Sequence, residues 1–430
     1  MVDSNTALAP RVTHSSPLDG LDIYSLQTEI KDVITYRGSF LGGSVFAKDN
    51  VLIPEMAGAM LDLGTKKRDK FEIGEALESV GASLGFTTGR YRVHFSGRCL
   101  KNDIPLVIEL LAEQLAGPAY HQEDLKSLIQ RRRAELKKQK EDTRTRAVEV
   151  FLRQLYPEGH PNSIPSLDDQ IVAIEKVTTE ELMSFHKDYY GLGSMNVSFV
   201  GEVDHSTIEH EIHRQFRGWK QTSFTIEQKV DLVAKTVERA SLETVHVPDK
   251  TSADLVTGHG IGIHRDHKDY YSVMMSHFIL GGNFSARLMA TIRDQEGLTY
   301  GIQSATGGVE EGNDGYWYIW GTFGPDVLET AKESISRELC LWYEKGVTLD
   351  ELTAKQSTIA GMYKVGLDTT AGLATRILTT VERGKELSFM DEYPDIINAL
   401  TLDQVNAAIR SYCNPDNRIT VVAGTVKNTH

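Results

Sequence analysis

Cysteine is scarce in this chain of 430 residues, in which Cys99, Cys340 and Cys413 lie far apart. An odd and sparse set of thiols argues against a disulfide framework and against a zinc site of the paired-cysteine type. Long apolar runs are also missing, since no stretch approaches the roughly 20 apolar residues that span a bilayer. The sequence therefore predicts a soluble protein without a membrane span.

Residues 1–20 lack a targeting signal, because they contain one arginine and no apolar core. They match neither a secretory signal peptide nor an arginine-rich transit peptide. We expect residues 1–19 to form a disordered tail and the protein to be cytoplasmic. A periplasmic location stays open if a leader precedes this sequence.

Basic residues are outnumbered: 46 Lys and Arg stand against 60 Asp and Glu, for a formal net charge of −14. This balance argues against nucleic acid or an anionic membrane surface as the main partner, and it is compatible with peptides. The basic stretch 131–146 has acidic residues interleaved and no aromatic residues for base stacking. It therefore predicts a charged helix face.

The sequence repeats itself, because residues 177–203 align without gaps with residues 400–426 at an offset of 223 positions. In the first copy, Thr178 and Glu181 form a capping-box pattern at a helix start. Each copy ends in a short apolar run, VSFVG or ITVVAG, that is typical of a buried strand. The repeat predicts two similar domains.

The predicted domains span residues 20–222 and 243–430, and the polar stretch 223–242 is interpreted as a linker. Residues 91–97, YRVHFSG, alternate apolar and polar side chains as a half-buried strand does, and residues 316–323, YWYIWGTF, predict an aromatic-rich strand. Because the predicted strands cluster, we expect an α+β fold with largely antiparallel sheets.

The first candidate site lies in LGGNFSARLMATIRDQEGLTYG, residues 280–301. Ser285 is expected to cap a helix that Gly297 ends, with a strand beginning near Tyr300. Arg293 would then lie on the last helical turn, and a guanidinium and a phenol that converge can hold a peptide carbonyl or carboxylate. On spacing alone a purely structural role is favoured, in which Arg293 stabilises the negative end of the helix dipole and Tyr300 packs at a sheet edge.

This segment resembles the C-terminal domain of M16-family metallopeptidases, the pitrilysin and mitochondrial-processing-peptidase type. The resemblance extends from about residue 20 to residue 426 and includes VSFVGEVD, which closes the first domain in that family. It implies two homologous domains that face each other across a chamber. In the family an Arg and a Tyr seven residues apart contact the substrate, and Arg293 and Tyr300 match that spacing. The resemblance therefore implies that this pair binds substrate and stabilises the transition state.

The sequence departs from the family at the metal site. M16 peptidases carry H-x-x-E-H on a first-domain helix, where two His bind Zn²⁺ and the Glu activates a water. The matching stretch here is residues 53–65, in which Pro54 is expected to open the helix and Gly64 to close it. With the alignment fixed on Gly64, Glu55 and Ala59 stand at the His positions and Gly58 stands at the base position. Glu135 lies near the place of the third ligand, with a register uncertain by one. We therefore expect no metal or other cofactor in this chain.

Other His-rich and Gly-rich patterns do not fit a site. The His and Glu residues of VDHSTIEHEIHRQF, residues 203–216, have the wrong spacing for a metal and predict a solvated amphipathic helix. HGIGIHRDH, residues 259–267, fits no metal spacing either. The Gly-rich stretches lack the Lys-Ser/Thr of a phosphate loop, and no G-x-S-x-G nucleophile motif occurs.

The resemblance implies a non-zinc, substrate-binding subunit of a heterodimeric M16-type zinc endopeptidase. Its partner would be a homologue with H-x-x-E-H that supplies the zinc, and its substrate a peptide or an unfolded polypeptide. This chain would be inactive alone. Two alternatives stay open: a non-proteolytic structural protein of the same fold, like the core subunits of a respiratory complex, or a self-sufficient peptidase that uses other residues.

Overall fold

The computed structural model describes residues 7–223, 233–235 and 237–425. The strands in this part of the chain are β1 (Val12–Leu18), β2 (Leu21–Gln27), β3 (Val33–Leu41), β4 (Ser83–Thr88), β5 (Arg92–Leu100), β6 (Met195–Gly201), β7 (Ser241–His246), β8 (Ala253–Gly260), β9 (Ile302–Gly307), β10 (Tyr316–Phe323) and β11 (Ile419–Gly424).

The α-helices are α1 (Ile53–Ala59), α2 (Lys70–Glu78), α3 (Ile104–Ala116), α4 (Gln122–Lys140), α5 (Thr143–Leu155), α6 (Leu167–Ile174), α7 (Thr179–Tyr189), α8 (His205–Phe216), α9 (Tyr270–Gly281), α10 (Leu328–Lys345), α11 (Leu349–Gly366), α12 (Thr370–Glu382), α13 (Phe389–Asn398) and α14 (Leu402–Tyr412). A π-helix spans Met289–Gln295. Among the residues that the structure describes, no helix is both long and apolar enough to cross a bilayer.

The chain divides into two compact units, and neither unit is one continuous stretch. The first unit is drawn from 1–133, 172–226 and 361–394, and the second from 134–171, 227–360 and 395–430. Each unit therefore includes a helical segment from the other half of the sequence. The domain boundaries predicted from the repeat say which stretches of sequence are homologous. The compact units say which residues pack together, so they do not test those boundaries.

Each unit is built on one sheet, and the five strands of the second sheet correspond in order to β2-β6-β3-β5-β4 of the six-stranded first sheet. The first sheet runs β1-β2-β6-β3-β5-β4 and the second runs β7-β11-β8-β10-β9. In the first, β6 is parallel to β2 and antiparallel to β3; in the second, β11 is parallel to β7 and antiparallel to β8. The remaining strand pairs are antiparallel. These sheets confirm the predicted α+β fold.

The repeat appears as matching local structure. Both α7 and α14 begin with a complete capping box, formed by Thr178 with Glu181 and by Thr401 with Gln404. Each box satisfies backbone N–H groups that have no partner within the helix. The strands that follow, β6 and β11, are almost wholly buried in the middle of their sheets. The helix–turn–strand prediction is therefore confirmed for both copies.

A second equivalence links α5 and α12, which begin 227 positions apart. The Thr143 hydroxyl at the start of α5 donates to the Asp254 carboxylate on β8. The Thr370 hydroxyl at the start of α12 lies 2.7 Å from the Thr35 hydroxyl on β3. Both strand residues occupy the same place in their sheets, next to the repeat strand. The same hydroxyl contact therefore fixes each helix on its sheet.

Apolar burial holds these two helices in place. In the second unit, Phe151 and Leu155 of α5 pack in one cluster with Val256 and Val421 of the sheet. In the first unit, Ala374 and its neighbours on α12 pack with buried residues of β2 and β6. Burial of a large apolar side chain contributes about 1.5–3 kcal/mol. The helix from the other half of the sequence is thus part of each unit's core.

The N-terminal prediction is wrong over residues 12–18. These residues form β1, which pairs antiparallel with β2 at the edge of the first sheet. Residues 1–6 of the predicted tail lie outside the described residues. Most of the predicted linker, at 224–232 and 236, also lies outside them, and β7 begins at Ser241.

Candidate functional site

The helix that matches the family's zinc motif forms where the sequence predicts it. Pro54 occupies the first turn of α1, where its missing N–H costs nothing. The helix continues as a 3₁₀ turn, Met60–Leu63, and Gly64 follows with a φ of 116°, a conformation that glycine adopts freely. The backbone at this site is therefore regular, and the chemical difference from a zinc site lies in its side chains.

Glu55, at the first of the two His positions, is held by an ion pair. The Arg132 Nε lies 2.8 Å from Glu55 Oε1, and Arg132 Nη2 donates to Glu55 Oε2 at 3.3 Å. The two groups therefore form an ion pair in which the hydrogen bond to Glu55 comes from Nη2, while Nε is close to the carboxylate without hydrogen-bond geometry. Arg132 lies on α4, one helical turn before Glu135. A cation therefore already engages the one carboxylate on α1 at this site.

Gly58 stands where the family's motif has its general base, and the structure leaves little room for a side chain there. A Cβ atom on Gly58 would lie 2.0 Å from Thr88 Oγ1. That hydroxyl donates to the Pro54 carbonyl at 3.3 Å, so it joins β4 to α1. A side chain at position 58 therefore requires Thr88 to rotate and to give up this bond.

The residues at these positions do not fit a zinc ion. Zinc in such sites needs imidazole, thiolate or carboxylate ligands, whereas Ala59 offers a methyl group and Glu55 is bound to Arg132. Glu135 is an exposed residue of α4, next to the buried Leu136. Within the described ranges, no group of three or more His, Cys, Asp and Glu residues is placed to hold a metal.

The segment with Arg293 and Tyr300 has a fixed backbone. Arg293 lies on the π-helix, and Gly297, with a φ of 65°, ends it by donating its N–H to the Arg293 carbonyl at 3.1 Å. Leu298 N–H then donates to the Ile292 carbonyl at 3.0 Å. The predicted end of the helix at Gly297 is confirmed, and β9 begins at Ile302.

Tyr300 projects from this segment into solvent, with an exposed fraction of 97%. The residues on both sides of it are anchored. Thr299 Oγ1 donates to the Thr322 carbonyl at 2.6 Å and accepts from Gly301 N–H at 3.1 Å. The backbone at Tyr300 is therefore fixed, while its ring projects into solvent.

Arg293 is also accessible, since 39% of its side chain is exposed. Its Nη1 donates to the neighbouring Asp294 Oδ1 at 2.8 Å. Its guanidinium carbon lies 5.8 Å from the centroid of the Phe284 ring, within the range of a cation–π contact. The structure thus brings Arg293 together with Phe284. No hydrogen bond joins Arg293 and Tyr300 in the described part of the chain, and their role in substrate binding stays a prediction.

A buried lysine fixes the loop that precedes the π-helix. Lys355 Nζ on α11 donates to Asn283 Oδ1 at 2.8 Å, to Ser285 Oγ at 2.7 Å and to the Ser285 carbonyl at 3.0 Å. Burial lowers the pKa of the Lys355 ammonium, and the Glu351 carboxylate opposes that shift. The prediction that Ser285 caps the helix is wrong, because its hydroxyl accepts from Lys355 and no side-chain cap is formed.

Three residues of the two candidate regions have no signal in the sequence, one in the first unit and two in the second. Arg132 is one of three consecutive arginines, and only the packed helix shows which of them meets Glu55. Phe284 is an isolated aromatic residue in a loop, and Lys355 is a charged residue on a helix that no pattern marks as buried. Their partners lie 9 to 77 positions away in the sequence, beyond the reach of local spacing rules.

Two family descriptions match the chain. "Peptidase M16 inactive domain" matches residues 176–359, and "Insulinase (Peptidase family M16)" matches residues 56–165. Among curated relatives, the chain is 22% identical to the uncharacterized zinc protease YmxG of Bacillus subtilis, over 93% of this chain and 97% of that protein. It is also 22% identical to an uncharacterized zinc protease of Streptomyces coelicolor, over 82% of this chain and 76% of that protein.

Solved structures share the whole fold. A peptidase M16 inactive domain from Pseudomonas fluorescens superposes with a TM-score of 0.86 at 22% identity and covers 97% of this chain and 98% of its own. A protease from Helicobacter pylori superposes with a TM-score of 0.82 at 16% identity, over 96% of this chain and 99% of its own. At these identities the likeness establishes the fold.

Proposed function

The chain belongs to the M16 peptidase family, and from this premise we propose that it is the substrate-binding, non-zinc subunit of a heterodimeric M16-type zinc endopeptidase. One contrast carries the proposal. The zinc-motif positions hold no usable set of ligands, whereas Arg293 and Tyr300 remain exposed on an anchored backbone. The chain has kept side chains suited to binding a peptide and lacks those that bind the metal.

Arg293 and Tyr300 would act on the substrate backbone. A guanidinium carries five N–H donors, and Arg293 uses one of them on Asp294 within the described residues. The remaining donors suit a peptide carbonyl and the oxyanion that develops from it. In other enzymes the removal of one such donor costs about 2.7–4 kcal/mol of transition-state stabilisation. The Tyr300 hydroxyl would be a second donor of this kind.

The edge strand β9 offers a way to orient the peptide. It is the outer strand of the second sheet, and it begins two residues after Tyr300. An extended peptide that adds to a sheet edge forms backbone hydrogen bonds with little dependence on its sequence. Such a peptide along β9 would run past Tyr300, so its carbonyls would be presented to the two donors.

The partner in this proposal is an M16 homologue with an intact H-x-x-E-H motif, which would supply the zinc, its ligands and the general base. The residues of this chain would bind the peptide, orient it and stabilise its developing negative charge. By itself the chain would bind peptides without cleaving them.

Kinetics of the reconstituted heterodimer test the proposal. We expect zinc-dependent peptide cleavage only when both chains are present, and a fall in kcat of about 10²–10³-fold for Arg293→Ala. Tyr300→Phe should also lower kcat, and its ring is too exposed for the change to unfold the protein. Arg410→Ala, at an exposed position of α14, is the matched control and should keep full activity.

Other outcomes support the alternatives. Full activity in an Arg293→Ala, Tyr300→Phe double variant would refute the role of the pair. Assembly without peptidase activity in any pairing would indicate a structural protein. Stoichiometric zinc together with cleavage by this chain alone would indicate a self-sufficient peptidase.

A further inference from the structure

In the part of the chain that the structure describes, the second unit has no counterpart of β1 or of α8. In the first sheet β1 covers the edge of β2, whereas β7, the strand that corresponds to β2, is itself the outer strand of the second sheet. In the first unit α8 follows β6, whereas the described residues end at Thr425, directly after β11. The repeated fold is therefore described here with one strand and one helix fewer in its second copy.

In the first unit, α8 fills a groove between α3 and the sheet. It packs against α3 and β1, and the His205 ring at its start lies 2.9 Å from the Ser25 hydroxyl on β2. Its buried residues form one apolar stripe with a spacing of four positions: Ile208, Ile212 and Phe216. Ile23, which shares a face of β2 with Ser25, has an exposed fraction of 0%.

The equivalent groove of the second unit, between α10 and the sheet, is open at β7. The two helices are equivalent because α10 follows β10 as α3 follows β5. Ile23 pairs with Val197 of β6, and Leu242 pairs with Thr420 of β11, which lies 223 positions after Val197. Leu242 is therefore the counterpart of Ile23, yet 56% of it is exposed. A residue that is covered in one copy of the fold is uncovered in the other.

Leu242 borders a cavity of about 200 Å³ between α10 and the second sheet. Leu255 and Ile335 contribute apolar surface to its lining, and Lys332 and Arg418 contribute two positive charges. Lys332 forms an ion pair with Glu329, one turn earlier on the same helix, at 2.7 Å. The groove therefore combines an apolar wall with a cationic one.

Arg418 is a cation without a nearby counter-ion. Its Nη2 donates to the Ser336 hydroxyl at 2.9 Å, and its Nη1 donates to the Pro415 carbonyl. Burial lowers the pKa of the Arg418 guanidinium, which the more distant Asp416 carboxylate opposes. Within the described ranges no carboxylate forms an ion pair with Arg418. Partial burial of an unpaired charge costs free energy, and a carboxylate placed in the cavity would offset that cost.

We propose that the groove between α10 and β7 binds an acidic amphipathic helix of a partner protein, seated as α8 is seated in the first unit. The apolar stripe of the helix would cover Leu242, and its carboxylates would pair with Lys332 and Arg418. Recognition of a helix in a groove through anchor residues one turn apart is a common mode of binding. The inference uses none of the residues of the proposed function, and it holds whether or not the chain takes part in proteolysis.

Three fluorescein-labelled peptides test the groove by fluorescence anisotropy with the full-length chain. All are stapled on their outer face to keep them helical, because short free helices are marginal in water. The first has the Ile-Ile-Phe stripe of α8 flanked by Glu, the second has Lys in place of each Glu, and the third has Ser in place of the stripe. We expect the wild-type protein to bind the Glu peptide about tenfold more tightly than the Lys peptide, and not to bind the Ser peptide.

Variants of the groove locate the binding. Leu242→Asp should weaken binding of the Glu peptide about tenfold or more, and its exposed position makes unfolding an unsuitable explanation. Lys332→Glu and Arg418→Met should each reduce the preference for Glu over Lys; Met also stands at the position equivalent to Arg418, as the buried Met195. Leu100→Asp, at an exposed leucine of β5 in the other unit, and Lys345→Glu, at the end of α10, are the matched controls and should bind like the wild type.

Four results would overturn the proposal. The wild-type protein binds the Glu and Lys peptides equally, or neither of them. Leu242→Asp leaves the affinity unchanged, or the controls lower it as much. A Glu peptide with a central proline binds as tightly as the helical one, which would assign the groove to an extended segment. Sedimentation shows a homodimer that Leu242→Asp dissociates while the Glu peptide does not bind, which would assign the groove to a second copy of this chain.

Discussion

The ion pair between Arg132 and Glu55 leads us to predict that Arg132 would weaken zinc binding at this site even if the missing histidines were restored. We consider the double substitution Glu55→His, Ala59→His, which restores the two imidazoles that lie four residues apart in the family's motif. A His pair at this spacing on one helix face chelates a divalent ion. In this double variant, however, Glu55 no longer offsets the charge of Arg132, whose guanidinium lies next to the place where the ion would bind.

The distance between the Arg132 guanidinium and position 55 sets how strongly Arg132 would repel the ion. A divalent ion at position 55 would lie on the order of 4 Å from the guanidinium, which gives a repulsion of about 8 kcal/mol at an effective dielectric constant of about 20. Glu55 is 39% exposed, so solvent screens part of this energy. Halving it leaves about 4 kcal/mol, which corresponds to roughly a thousandfold weaker affinity.

A zinc titration in competition with a chromophoric chelator measures this effect. We expect the double variant with Arg132→Met added to bind zinc about a thousandfold more tightly than the double variant with Arg132 retained. Met keeps an apolar stem of similar length, and Arg133→Met on the same helix is the matched control. Equal zinc affinity with and without Arg132 would refute the reasoning, since the ion pair would then have no bearing on the metal.

Two further predictions concern stability. Burial lowers the pKa of both His259 and His277, and the neighbouring His259 ring adds to the lowering at His277. Below about pH 6.5 these two imidazoles bind protons in the unfolded chain, whereas in the native core they stay neutral. The free energy of unfolding is therefore unaffected by them above that pH. It falls as the pH is lowered further, by up to about 2.7 kcal/mol per pH unit for the two groups together. Thermal unfolding between pH 8 and pH 5 measures this loss; His277→Asn should flatten the dependence, and a steeper one would contradict the reasoning. Gly58→Ala should lower the melting temperature, because the new Cβ would lie 2.0 Å from Thr88 Oγ1. In a Thr88→Ala background the same change should raise it, since Ala favours a helix over Gly by about 1 kcal/mol, and a fall in both backgrounds would contradict the steric explanation.

The sequence predicts those parts of the fold that depend on local rules. The capping box at Thr178, the helix end at Gly297 and the start of α1 at Pro54 all follow from residues a few positions apart. Each of these features satisfies or removes a backbone N–H at a helix end, and such bonds form within one turn. The offset of the repeat likewise predicts two similar sheets.

The errors fall where distant residues decide the outcome. Residues 12–18 look like a polar tail, yet they form β1 because the edge of β2 supplies hydrogen-bond partners. Ser285 has the residue type of a helix cap, but the Lys355 ammonium takes its oxygen atoms. In both places a tertiary contact replaces the one that the local pattern favours.

The amino-acid sequence by itself determined the α+β class, the duplication and the absence of an H-x-x-E-H motif, because these are properties of residue order and periodicity. Only the tertiary structure decided that α5 and α12 each pack on the sheet formed by the other half of the sequence. It also decided that Arg132 forms an ion pair with Glu55 and that Phe284 lies against Arg293. The physical reason is that burial and ion pairing depend on distance in space, and the chain brings these groups together only when it packs.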